Sequence, residues 1–267
     1  MTVTNSEQLW ARPNRRQTIL LIVLGLGAGL LSGMFGVGGG IMIVPGLVAI
    51  VGFAPRLASG TSLTTIVPLA LVGVASYAAQ GDVSWEAAGL LALGGIGGAQ
   101  IGTWLLSRIS SRRLQIAFAG FILFSVVMMF INVPSRAAVL EINWATAVGL
   151  LLVGILTGTL SGLLGVGGGI IVVPALMLIF GASDLVAKGT SLLMMIPSAL
   201  GGTIPNIRRR NLNLPAALIV GLSASTTTLL GSYLAHRISP QVANLLFAVF
   251  LLFVAVSMLR KALRAPR

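Results

Sequence analysis

Between Ile19 and Phe53 the chain carries no charged side chain, and after a single arginine at position 56 the run from Leu57 to Gln80 carries none either. Segments this long and this apolar belong in a bilayer, and 267 residues cannot bury several of them in one soluble core. The composition agrees: 56% of residues are hydrophobic and 8% charged, with a mean hydropathy of +1.02, against about 25% charged in an ordinary soluble domain. The expected fold class is an all-α polytopic membrane protein, with the lipid bilayer as its partner.

A formal charge of +12 raises the question of nucleic acid. The basic residues, however, fall in short runs between apolar segments: Arg12, Arg15 and Arg16; Arg108, Arg112 and Arg113; Arg208 to Arg210; and Arg260 to Arg267. That is the pattern of cytoplasmic loops, and no nucleic-acid partner is expected. The polar, basic opening residues lead into an apolar run without a small-residue cleavage site, which reads as a retained first span. The chain has no cysteine, so disulfides and thiolate chemistry are excluded.

The sequence is written twice. SGMFGVGGGIMIVP, from Ser32 to Pro45, returns 129 positions later as SGLLGVGGGIIVVP, from Ser161 to Pro174, with 10 of 14 positions identical. The match continues without a gap. Gly60, Thr61, Ser62 and Leu63 fall on Gly189, Thr190, Ser191 and Leu192, and Pro68 falls on Pro197. Gly25, Gly29 and Gly33 fall on Gly154, Gly158 and Gly162, and their spacing is that of close helix contacts. Two homologous membrane repeats are expected, 1–135 and 136–267, forming one transport domain.

Each repeat divides into five apolar elements, at 17–34, 41–53, 57–80, 85–106 and 114–131, and again at 142–163, 170–180, 185–205, 214–235 and 242–258. Counting elements one and two as a single broken span gives four spans per half and parallel halves, whereas counting them separately gives five and inverted halves. The range is thus 8 to 10 segments. With the N-terminus inside, four spans place 11 of the 17 Lys and Arg residues inside. Five spans place 14 inside, leaving only Arg136, Lys188 and Arg237 outside. The count favours inverted halves with both termini cytoplasmic, a build common in transporters.

In GVGGG, the glycines Gly36, Gly38, Gly39 and Gly40, and their copies Gly165, Gly167, Gly168 and Gly169, break the helix inside the membrane. Amides opened there form a nest with positive dipole character, suited to an anion. A dinucleotide loop would need a strand before it and an acid about 20 positions on, and neither copy has that acid. Thr61, Ser62, Thr190 and Ser191 sit early in the third elements, where they can cap helices, bond back to the backbone or meet oxyanion oxygens. Pro68 and Pro197 release the carbonyls of Thr64 and Leu193. Gln100, a lone amide in the fourth element, is a further contact for substrate or for a neighbouring helix.

Glu7, Asp82, Glu86, Glu141 and Asp184 are the only acids, and all are expected in the tail or loops, as is His236 on the surface. No metal cluster, catalytic triad or paired carboxylates can be assembled, so no enzymatic role, metal or cofactor is expected.

GVGGGxxxVP in both halves, followed by GTSL and then YAAQGDVSW, resembles the TauE/SafE family of sulfite and organosulfur anion exporters. The resemblance covers nearly the whole chain. It departs where GDVSW is replaced by RNLNL in the second copy. It implies a multi-pass transporter of the bacterial inner membrane that moves sulfite, sulfoacetate or another sulfonate outward. In the carrier reading the two GVGGG turns approach one another near the midplane and access alternates around them; the alternative is a channel-like anion permease lined by the same glycines. The sequence leaves a homodimer open.

Overall fold

The computed structural model describes residues 10, 12–106, 111–131, 140–164 and 168–264. They form ten helices, α1 (Arg15–Phe35), α2 (Gly40–Ile50), α3 (Pro55–Ala78), α4 (Trp85–Leu106), α5 (Ser111–Ile131), α6 (Trp144–Leu164), α7 (Gly169–Leu178), α8 (Asp184–Arg208), α9 (Leu214–Arg237) and α10 (Pro240–Arg264). No strand occurs among the described residues. The protein is therefore all-helical, as its composition requires.

Local chemistry sets the helix starts. At α1, Asn14 Oδ1 accepts from the Gln17 amide at 2.8 Å while Gln17 Oε1 accepts from the Asn14 amide at 3.0 Å, a reciprocal cap. Ser183 and Asn213 cap α8 and α9 one way, their side chains accepting from the amides of Val186 and Ala216, and Pro55 opens α3 where its missing N–H is harmless.

Among the described residues α1, α3, α8, α9 and α10 are each long and apolar enough to cross a bilayer. α2 and α7, with 11 and 10 residues, rise only about 15 to 17 Å, half of a hydrocarbon core of ~30 Å. Both fold back along the helix before them. Gly39 lies against Ala28, Met42 against Gly27 and Leu24 against Gly46; in the second copy Gly168 lies against Thr157 and Phe180 against Gly149.

Helix directions follow from similar contacts. α1 and α9 run parallel, with Gly25 on Ser223, Gly29 on Ala224 and Gly33 on Thr228. α4 and α6 run parallel through Gly94 on Gly154 and Gly95 on Gly158. α3 and α8, equivalent by sequence, cross antiparallel: Gly60 meets Asn206, Leu63 meets Gly202 and Gly73 meets Leu192. At the glycines of α1 an added Cβ would strike the backbone of α9, so their role is close packing. Thr228 Oγ1, 3.2 Å from the Gly29 carbonyl, and Thr159 Oγ1, 2.9 Å from the Gly98 carbonyl, tie the two pairs together.

One end of the bundle accordingly collects Arg15, Arg16, Arg56 and Arg208 to Arg210, and the other collects Asp82, Glu86, Glu141 and Asp184. Trp85 and Trp144, 61% and 90% exposed, begin α4 and α6 at the acidic end, where interfacial indoles belong. The outward faces of the long helices are apolar, with Leu218, Phe130 and Phe253 exposed to lipid. Inside, Gly169 through Met177 are buried along all of α7, which packs with Leu91, Ile122 and Phe247, whereas α2 buries only Gly40, Ile43 and Leu47.

Candidate functional site

At the end of α1 the chain turns on three left-handed glycines, Gly36 (φ 69°), Gly38 (φ 70°) and Gly39 (φ 66°). The first closes α1 by donating its amide to the Ser32 carbonyl at 2.8 Å. The others redirect the chain so that α2 can descend beside α1. β-Carbons are excluded as well as strained here: one at Gly36 would sit 2.6 Å from Lys188 Cα, and one at Gly38 would overlap Met195 Sδ.

This loop touches its copy. An added Cβ at Gly169 would overlap the Gly36 carbonyl and come within 2.7 Å of Val37 Cα. Around the junction the amides of Gly38, Gly39 and Gly40, all at buried residues, make no hydrogen bond among the described residues. Buried unpaired donors cost about 1 to 3 kcal/mol each, so three of them in one place require a partner or a purpose. In the second copy Gly168 has right-handed φ (−80°) and is the N-cap of α7, and Gly165 and Gly167 lie outside the described residues.

The hydroxyls divide into two groups. Thr61 Oγ1 donates to the Leu57 carbonyl at 2.7 Å and accepts from the Asn213 amide at 3.0 Å; Thr190 Oγ1 accepts from the Ser84 amide at 2.9 Å. Ser84 and Asn213 are themselves 129 residues apart, so both threonines do one job, holding the loop that follows an α3-type helix. Ser191 Oγ donates to the Gly36 carbonyl at 3.0 Å and thereby fixes the glycine loop. Ser62 Oγ is buried without a hydrogen-bond partner, as are Ser32 Oγ, one turn before Gly36, and Thr157 Oγ1, beside Gly168. Gln100 rides on α4, and its side chain lies outside the described residues.

Three charged or titratable side chains are placed differently from the sequence expectation. Asp184, expected in a loop, is the first residue of α8 and 1% exposed, and Lys188 one turn on is 2% exposed, with Nζ 3.0 Å from Asp184 Oδ2. His236, expected on the surface, lies in the last turn of α9 at 12% exposure, with Nε2 2.8 Å from Asp82 Oδ2 and Nδ1 2.7 Å from the Ser232 carbonyl. Its ring lies against Tyr77, whose hydroxyl donates to the Gly33 carbonyl at 2.7 Å. A signal for these residues exists in the repeat. Lys188, Asp184, Asp82 and Tyr77 align with Ser59, Pro55, Asn211 and Asn206, places where the halves differ rather than agree.

Half-helices that meet at a glycine junction inside a multi-pass bundle are a recurrent build of membrane transporters. The model for the family described as sulfite exporter TauE/SafE matches residues 3–129 and 150–267, and the chain belongs to that family. It is a transporter family, not an enzyme family. A probable membrane transporter protein of Xylella fastidiosa is 30% identical over 89% of this chain and 94% of its own length. The probable membrane transporter protein YunE of Bacillus subtilis is 26% identical over 90% and 97%. Another, of Methanocaldococcus jannaschii, is 26% identical over 90% and 94%. No solved structure matches the chain.

Proposed function

We propose that this membrane transporter is a secondary carrier that exports a small sulfur-containing anion, sulfite, sulfoacetate or another sulfonate, across the bacterial inner membrane by alternating access. The observation that carries the reading is the junction of the two glycine loops, where the buried amides of Gly38, Gly39 and Gly40 lack partners among the described residues. An oxyanion supplies several acceptors at once, and backbone amides at the starts of α2 and α7 meet it without burying a full positive charge.

The substrate site is formed by Gly36, Gly38, Gly39 and Gly40 from one half and by Gly165, Gly167, Gly168 and Gly169 from the other. Ser62 and Ser191 supply hydroxyls, Thr61 and Thr190 position the surrounding loops, and Gln100 is an outer contact. The halves, 1–135 and 136–267, are inverted with respect to one another, a reading supported by the antiparallel crossing of α3 and α8. Both termini are cytoplasmic, which accords with Arg15, Arg16, Arg56 and Arg208 to Arg210 at one end and four acids at the other, Arg237 being at the acidic end.

The purified protein, screened by thermal unfolding against sulfite, sulfate, thiosulfate, sulfoacetate and taurine, is expected to be stabilised by a preferred anion through mass action. Proteoliposomes are expected to show saturable counterflow of that anion. Stabilisation by none of the five, or a linear, voltage-driven current, would overturn the carrier reading.

A further inference from the structure

The buried ion pair at the start of α8 sits beside the glycine junction. Lys188 Cα and its carbonyl lie against Gly36, and Ser191, one turn further along α8, donates to the Gly36 carbonyl at 3.0 Å. The lysine that backs the α1–α2 loop therefore places an ionisable amine, 3.0 Å from Asp184 Oδ2, inside a membrane-spanning bundle, where such groups are expensive and mark function by default. A buried pair is a poor stabiliser, since an apolar pair of similar volume holds a fold at least as well. Repeat symmetry makes the same point: the corresponding positions in the first half are Ser59 and Pro55, and that half folds without the pair.

Resting on the anion reading above, we propose that Lys188 is the charged anchor for the anionic substrate, held by Asp184 while the site is empty and transferred to the oxyanion when it is filled. The exchange is one ion pair for another. Asp184 can release the ammonium because it occupies the first turn of α8, where the helix dipole favours a carboxylate. Lys188 can make the move because its head sits on a flexible four-carbon stem, anchored at a Cα already in contact with Gly36. Ser191 keeps the loop in register throughout. The site then has one cation and two sets of amides, with its charge at the acidic end of the bundle.

The test uses three variants of the full-length protein in detergent, each titrated with sulfite and with sulfoacetate while thermal unfolding is followed. Asp184→Asn removes the internal competitor and should lower the apparent Kd several-fold. Lys188→Arg should keep the anion-dependent shift. The double variant D184N/K188Q removes both charges of the pair together, should fold, and should raise the apparent Kd roughly tenfold or more, the loss of one charge-assisted contact. A double variant stabilised as strongly as the parent would overturn the assignment of Lys188, and an unchanged Kd in D184N would overturn the displacement of Asp184. Failure of both anions to stabilise the parent itself would instead overturn the anion reading and this proposal with it.

Discussion

Replacing Gly36 by alanine separates backbone strain from crowding at the centre of the site. Gly36 has φ 69°, and a conformationally similar control, Gly52, has φ 78°. At Gly52 nothing lies within 4 Å of an added Cβ, whereas at Gly36 the new carbon would meet Lys188 Cα at 2.6 Å and the Lys188 carbonyl at 2.8 Å. Left-handed backbone costs an alanine about 1 to 2 kcal/mol, and this is all that Gly52→Ala should lose. Overpacking against backbone adds about 1 to 3 kcal/mol, so Gly36→Ala should lose about 2 to 5 kcal/mol in total. Thermal or denaturant unfolding in detergent reads the difference. Counterflow in proteoliposomes reads the consequence, since a shifted Gly36 also moves the carbonyl held by Ser191 and the contact with Gly169. Equal destabilisation of the two variants, with normal counterflow by Gly36→Ala, would refute the close approach of α8 to the glycine loop.

Thr61→Val and Thr190→Val each strip the acceptor from a loop amide and should cost similar amounts, about 1 to 3 kcal/mol apiece, measured by unfolding in detergent; a large difference between them would contradict the equivalence of the two bonds. Gly201 has open space at its Cβ, so Gly201→Ala should stabilise by about 0.5 to 1 kcal/mol in the same assay. His236→Ala and Asp82→Ala should show a coupling energy of about 0.5 to 1.5 kcal/mol in a double-mutant cycle, because each removes the same 2.8 Å contact. Because the chain has no cysteine, single Gln80→Cys and Arg209→Cys variants report sidedness directly. An impermeant maleimide should label the first in intact cells and the second only after lysis.

The helices were legible because charge and apolarity alternate so strongly along the chain. Trp85–Leu106 is found with the bounds read from sequence, and the other elements differ by a few residues at ends set by capping, such as Ser183 and Asn213. The break at GVGGG was legible because only glycine turns so sharply. What stayed hidden was partnership. Sequence shows that Gly25, Gly29 and Gly33 want a close neighbour, but not that the neighbour is α9 of the other half. It shows hydroxyls in GTSL, but not that Thr61 and Thr190 hold loops while Ser62 has no partner. The Asp184 and Lys188 pair was masked because Asp184 falls just before the element read at 185–205, where composition alone reads a loop. Identity between repeats pointed to the glycine junction; the differences between them point to the charges.

The crosswise pairing of α1 with α9 and α4 with α6 means that neither half owns its own interior. While the ribosome is still making the second half, the glycine face of α1 has no surface to close against. A chain cut between 131 and 140 should therefore yield two pieces that survive only when made together, each the other's scaffold. The duplication is no longer two modules in series but one object wound from two strands of helices, and its assembly waits on its last quarter.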